Sequence, residues 1–114
     1  MAAPWVVFEN DYYYLFYTGC YYNNKCSAIG VARSREFLGL YEKHSQPILA
    51  TTPNETNKSW EGPGHCSVLK KINGNYAIVY HAWPHGGIGT VRLMMTDHLR
   101  WVDDWPTVHN GSPS

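Results

Sequence analysis

Apolar and polar positions fall into short runs separated by turn chemistry. Trp5 to Phe8 is a short apolar run, and Glu9-Asn10-Asp11 closes it with residues that favour a tight turn. Tyr12 to Thr18 follows as an aromatic-rich run of strand length, with no polar residue to mark a helical face. Gly19 to Ser27 reads as a connecting loop. Ala28 to Ala32 is the next strand, ended by Arg33-Ser34-Arg35, and Gly39 to Lys43 fits a short outer strand. Ala50 to Gly64, rich in Thr, Asn, Pro and Gly, is the longest predicted loop. No segment combines helical spacing with a cap at its start.

The second half repeats this order. Cys66 to Ile72 is a predicted strand, Asn73-Gly74 a hairpin turn, and Asn75 to Trp83 the partner strand. Pro84 to Gly89 is a glycine-rich loop carrying His85. Val91 to Thr96 is predicted as a third strand and Arg100 to Val102 as a fourth. Tyr13 to Tyr17 aligns with Tyr76 to Tyr80 at an offset of 63 residues, and Gly30 to Ser34 aligns with Arg92 to Thr96 at 62. A repeated four-stranded unit is the pattern of propeller blades, although two hairpin sheets of one sandwich imitate it. The division expected is one blade over residues 1–50 and another, with a closing segment, over 51–114.

Composition adds limits. In 114 residues the nine basic and nine acidic side chains cancel, which gives no electrostatic case for nucleic acid or an anionic membrane surface. No apolar run approaches the roughly 18 to 20 residues that span a bilayer. Charged residues make up 16%, below the usual ~25%, while nine Tyr and five Trp suit both β-sheet packing and stacking on sugar rings. Three cysteines leave at least one unpaired: Cys20 and Cys26 could close a small loop or stay free, and Cys66 reads as a small buried hydrophobe. The sequons at Asn54, Asn57 and Asn110 tilt the compartment towards secretion. The abrupt start at Met1 suits a truncated reading frame.

Three segments carry a family resemblance. Ala3-Pro4-Trp5-Val6-Val7, followed by Asp11 to Thr18, is similar to a strand pair that begins Glu-Ala-Pro and continues Tyr-Tyr-Tyr-Leu-Phe-Tyr-Ser. Gly62-Pro63-Gly64-His65-Cys66-Ser67-Val68 is similar to Gly-x-Gly-His-x-Ser-Val. Arg92-Leu93 and Trp101 to Pro106 are similar to a closing Arg-x-Leu and Trp-x-x-Gly-Trp-Pro. In this order they resemble the carboxy-terminal part of glycoside hydrolase family 43, and family 62 less well.

The resemblance implies an all-β chain of about two four-stranded antiparallel blades from a five-bladed β-propeller, the fourth and fifth. The remaining blades would come from elsewhere in the full-length protein. It also implies hydrolysis of arabinose- and xylose-containing oligo- or polysaccharides, usually with inversion. One carboxylate then activates water while a carboxylic acid protonates the leaving oxygen. The base and a third, orienting carboxylate belong to blades outside this chain. The acid is the Glu of Glu-Ala-Pro, and the matching residue here is Ala2. Either the chain's start places alanine there, or the acid has been lost and the module binds sugar without catalysis.

His65 matches the family histidine at the propeller axis, near a metal ion or its waters. The family's usual ion is a structural calcium, which prefers oxygen ligands to imidazole. Trp60, Trp83 and His85 are expected on loops beside His65, as sugar-stacking or binding residues, with Trp83 equally suited to capping the blade core. Glu61 reads as a loop residue, Glu9 and Asp11 as solvated turn residues, His81 as structural, and Arg92 as paired within its blade. Two blades alone leave open faces, so the isolated chain is expected to be marginally stable or self-associating.

Overall fold

The computed structural model describes residues 2–19, 27–52, 60–86, 91–108 and 111–113. Cys20, Cys26 and the asparagines of all three sequons lie outside them. Two four-stranded antiparallel sheets account for the fold. The first contains β1 (Ala2–Glu9), β2 (Tyr12–Gly19), β3 (Ala28–Ser34) and β4 (Glu42–Lys43). The second contains β5 (Trp60–Lys70), β6 (Tyr76–Pro84), β7 (Leu93–Val102) and β8 (Trp105–Val108). Each is a meander in which every strand pairs with its neighbour in sequence.

Period-two burial explains the second strands. Tyr14, Phe16 and Thr18 of β2 are buried while Tyr13, Leu15 and Tyr17 are half-buried. Tyr76, Ile78, Tyr80 and Ala82 form the buried row of β6. These rows join Ile29, Val31, Leu49, Val68, Leu99 and Val108 in one core shared by both sheets. Each large side chain so buried contributes about 1.5–3 kcal/mol of transfer free energy. Asn10-Asp11 and Asp103-Asp104 all adopt positive φ, between 53° and 64°, as both central residues of a type I′ hairpin turn must.

The antiparallel order gives the sheets two ends. The chain enters β1, β5 and β7, and leaves β2 and β6, at the end that carries Ala2, Trp60, Pro84 and Leu93; the tight turns lie at the other. At the turn end, the Tyr14 hydroxyl donates to the carbonyl of Asp104 at 2.5 Å, and Arg33 Nη1 donates to the same oxygen at 2.9 Å. The Arg33 guanidinium also lies 3.9 Å from the Trp105 ring centroid. The Tyr76 hydroxyl donates to the Glu9 carboxylate. Burial, with Glu9 adding to it, pushes the Tyr76 phenol up to about 12.

Several expectations need correction. Glu9 is not a free solvated residue, since it joins the two sheets through Tyr76 and approaches Lys70 Nζ at 3.9 Å. The predicted loop to Gly64 ends earlier, because β5 begins at Trp60 and absorbs Gly62-Pro63-Gly64 as a bulged stretch. Trp60, Glu61 and Trp83 therefore lie on strands, whereas His85 sits in the turn directly after β6. The third strand of the second sheet runs on to Val102, and the fourth is Trp105–Val108. The outer strand of the first sheet shrinks to Glu42–Lys43.

The repeat is also displaced from its sequence alignment. β2 begins at Tyr12 and β6 at Tyr76, 64 positions on, and the buried rows of both fall on even-numbered residues. An odd offset such as 63 would set a buried face against an exposed one.

Candidate functional site

The first strand of each sheet is irregular at the end away from the tight turns. The ladder of β1 with β2 shifts between Ala2 and Trp5; that of β5 with β6 shifts between Glu61 and Gly64 and again between Gly64 and Ser67. Ala3 lies at φ 54° and His65 at φ 48°, in the left-handed region that side chains rarely occupy. Such strain, of order 1–3 kcal/mol per residue, persists where neighbouring contacts fix it, and bulges of this kind re-aim side chains. At His65 the fixing contact is its backbone N–H, which donates to Thr18 Oγ1 at 2.7 Å. Between buried Gly64 and buried Cys66, the His65 side chain emerges into solvent.

Thr18 is the joint of this region. Its backbone faces Ala2 across the β1–β2 ladder while its hydroxyl accepts from His65. A Cβ on Gly64 would lie 2.9 Å from Thr18 Cγ2 and 3.2 Å from Ser27 Oγ, so the close approach of the two sheets requires glycine. The Ser27 hydroxyl donates to the carbonyl of Pro63 at 3.2 Å, fixing the neighbouring bulge residue. Ala2 and His65, far apart in sequence, thus meet through one threonine.

His81 stands behind Gly64. Its titration is lowered, first by burial and then by the charges of Arg92 and His65, which keeps the ring neutral at pH 7. Its Nε2 is buried without a hydrogen-bond partner among the described residues. Cys66 is buried beside His65, and desolvation pushes its thiol up to about 12, so it has no thiolate character at neutral pH.

A second group lies at the same end of the β5–β6 pair. Glu61 is fully buried at 0% exposure, opposite Trp83 in the ladder. Its Oε1 accepts the Gly86 N–H at 3.2 Å, and its Oε2 lies 3.6 Å from Nδ1 of His85. A buried carboxylate therefore ties down the turn that presents His85, whose ring remains accessible. Trp83 is 5% exposed, and Arg92 Cζ lies 5.8 Å from its ring centroid. Trp60 is half-buried against the core, and its backbone N–H donates to Thr52 Oγ1 at 3.0 Å.

His65 and His85 are thus placed as accessible side chains at one end, whereas Trp60 and Trp83 mainly support it. Sequence reasoning missed Thr18 and Ser27, because nothing in a strand-end threonine or a loop serine signals a partner in the other sheet. Glu61 was assigned to a loop, because Gly-Pro-Gly beside it resembles one. Among the described residues no three His, Cys, Asp or Glu side chains converge as metal ligands. Calcium takes six to eight oxygens, so His65 with its described surroundings does not fit that ion. Chemically the region offers imidazoles and polar backbone at an accessible surface, and residue 2 is an alanine.

The model for glycosyl hydrolases family 43 matches residues 1–106. Among solved structures, a thermostable family-43 glycoside hydrolase is 29% identical, with 98% of this chain and 36% of that protein covered at a TM-score of 0.84. The xylan β-1,4-xylosidase of Bacillus halodurans C-125 is 24% identical over 97% of this chain and 22% of its own, at 0.84. The α-L-arabinanase of Cellvibrio cellulosa, solved with arabinohexaose, is 23% identical over 94% and 36%, at 0.74. The last two likenesses concern the fold. The chain spans little more than a third, or less, of these relatives' lengths. Its two meanders are two blades of an incomplete five-bladed β-propeller.

Proposed function

The chain belongs to family 43 of the glycosyl hydrolases, and from that premise we propose that it forms part of the substrate-binding end of an enzyme cleaving O-glycosidic bonds in arabinose- and xylose-containing glycans. The observation that carries this reading is the convergence of Ala2 and His65 on Thr18, which brings two separate family motifs to one place. Xylosidase and arabinanase folds among the similar structures support pentose-containing glycans as the substrate class.

In an inverting reaction, a protonated carboxyl must reach the leaving oxygen while a second carboxylate activates water on the opposite face. The methyl of alanine has no proton to give. Glu61 does not replace the acid, because its carboxylate is buried and engaged with Gly86 and His85. The chain by itself is therefore a binding surface without catalysis. His65 and His85 offer imidazole nitrogens to sugar hydroxyls, and Glu61 holds the turn that carries the second of them.

Ala2 also favours a second reading, in which the whole protein binds glycans and hydrolyses none. One experiment separates the two. The chain and the full-length protein are incubated with arabino- and xylo-oligosaccharides while product sugars and binding heats are measured. We expect saturable binding without hydrolysis by the chain, and hydrolysis by the full-length protein. Binding without hydrolysis by both selects the second reading; neither binding nor hydrolysis by either overturns both.

A further inference from the structure

A cavity among the described residues lies at the turn end, away from His65. It measures about 620 Å³, within the ~300–1,000 Å³ range of small-molecule sites. Its lining comes from Glu9 and Asn10, from Lys70 and Gly74 to Tyr76, and from His98 to Trp101 of β7. It therefore draws on both blades, whose relative position here is held by the Tyr76–Glu9 hydrogen bond.

Its chemistry is uneven in a useful way. Lys70 and Arg100 bring two permanent positive charges and His98 a titratable third, against the single carboxylate of Glu9. That carboxylate is already engaged by the Tyr76 hydroxyl and approached by Lys70. Arg100 is exposed, and its guanidinium makes no ion pair among the described residues. Lys71 Nζ lies 3.4 Å from His98 Nδ1, a further base at the rim. The carboxylates of nearby turns, Asp11, Asp103 and Asp104, do not line the cavity. For a chain of zero net charge this is a local excess of positive charge.

Two more features narrow the ligand. The cavity is far larger than a bare phosphate or sulfate needs, and Asn10 and Asn75 are both in its lining, with amides of a kind that can donate to and accept from hydroxyls. Trp101 supplies an apolar wall of the kind that sugar rings favour. We propose that this cavity is a second saccharide site, selective for a sugar unit bearing a carboxylate, such as a uronic acid. Arg100 receives the carboxylate in a bidentate pair with Lys70 as a supporting charge, and the two asparagines take ring hydroxyls. The site is independent of the proposed pentose-glycan surface at the other end and stands or falls separately from it.

The test titrates the chain, followed by amide NMR shifts, with three probes: xylotriose bearing glucuronic acid, plain xylotriose, and inorganic phosphate. The acidic sugar should shift Asn75, His98 and Arg100, and bind about tenfold more tightly than the neutral one. Raising the salt should weaken it. Arg100→Gln, exposed and so without consequence for folding, should erase that preference while leaving the circular dichroism spectrum unchanged; Lys70→Gln should reduce it by a smaller factor. Equal affinity for acidic and neutral sugars overturns the proposal. So does phosphate binding as well as the acidic sugar, which marks a simple anion site, and so does a response confined to residues around His65.

Discussion

The two blades share one strand order and one core, yet they are built differently at their first strands. In the first blade a two-residue turn, Asn10-Asp11, joins β1 to β2, and the ladder shifts once, at Ala2 to Trp5. In the second, a longer turn through Gly74 joins β5 to β6, and two shifts release His65 into solvent while Glu61 is buried. The meander is common property, set by alternation and tight turns. The chemistry is private to the irregular stretches, where ladder pairing is given up to aim a side chain. The core should therefore carry stability for both blades together, and the bulges should carry function at a modest cost.

The largest effect expected is the loss of that shared core. Phe16→Ala removes a ring at 0% exposure from between the sheets and should cost about 3–5 kcal/mol. Met94→Ala, at a position 79% exposed on the second blade, should change stability by no more than about 0.5 kcal/mol. Urea unfolding of both variants checks the contrast. Two blades that unfold in separate transitions after Phe16→Ala would show that the core is not shared.

Next come two glycines, one in each blade. A Cβ at Gly64 meets Thr18 Cγ2 at 2.9 Å, and Thr18 is held by its bond to His65. Gly64→Ala should therefore cost about 1–3 kcal/mol by overpacking. A Cβ at Gly30 meets the tip of the Tyr17 ring at 2.6 Å, nominally closer, but that half-buried ring can swing aside. Gly30→Ala should cost less than Gly64→Ala in the same unfolding measurement. The reverse order would mean that the joint at Thr18 is softer than its geometry implies.

Thr18 itself sharpens the comparison, because the residue 64 positions on, Ala82, has no hydroxyl. Thr18→Val keeps the shape and leaves the His65 N–H without its acceptor, at a cost of about 1–2 kcal/mol. The amide and ring resonances of His65 should move well beyond those of Val79, which lies deeper in the sheet. Unmoved His65 resonances would break the link between Ala2 and His65.

Most of the fold was legible in the chain. Tyr12 to Thr18 and Tyr76 to Tyr80 announce strands because aromatic rings suit a pleated, half-buried surface, and Asn73-Gly74 announces its turn. Register was harder. Identity aligns Tyr with Tyr at 63, whereas the buried rows of β2 and β6 both fall on even-numbered residues, since burial follows the pleat and not residue identity. His65 was found through its motif. Its partner Thr18 was not, because a contact across 47 positions leaves no local signal. The bond from Tyr76 to Glu9 escaped for the same reason, and Glu9 reads from its neighbours as a turn residue.

The smallest effect expected is a difference in how the blades respond to acid. The residue 64 positions before His81 is Tyr17, a phenol in place of an imidazole. Burial first, and then the charges of Arg92 and His65, holds His81 below its ordinary value of 6.5 in the folded chain. The unfolded chain therefore takes up this proton first as pH falls. Stability from the neutral ring is complete above about 6.5, declines as pH drops below it, and is fully lost once the folded ring also protonates. His81→Gln cannot gain a proton, so its urea midpoint should fall less than the wild-type midpoint between pH 7.5 and pH 5. The rest of the chain is identical in both proteins, which makes the difference in slopes the signature of His81 together with its coupling to His65. Parallel slopes would place this ring in water, and the second blade would then be as indifferent to mild acid at this position as the first.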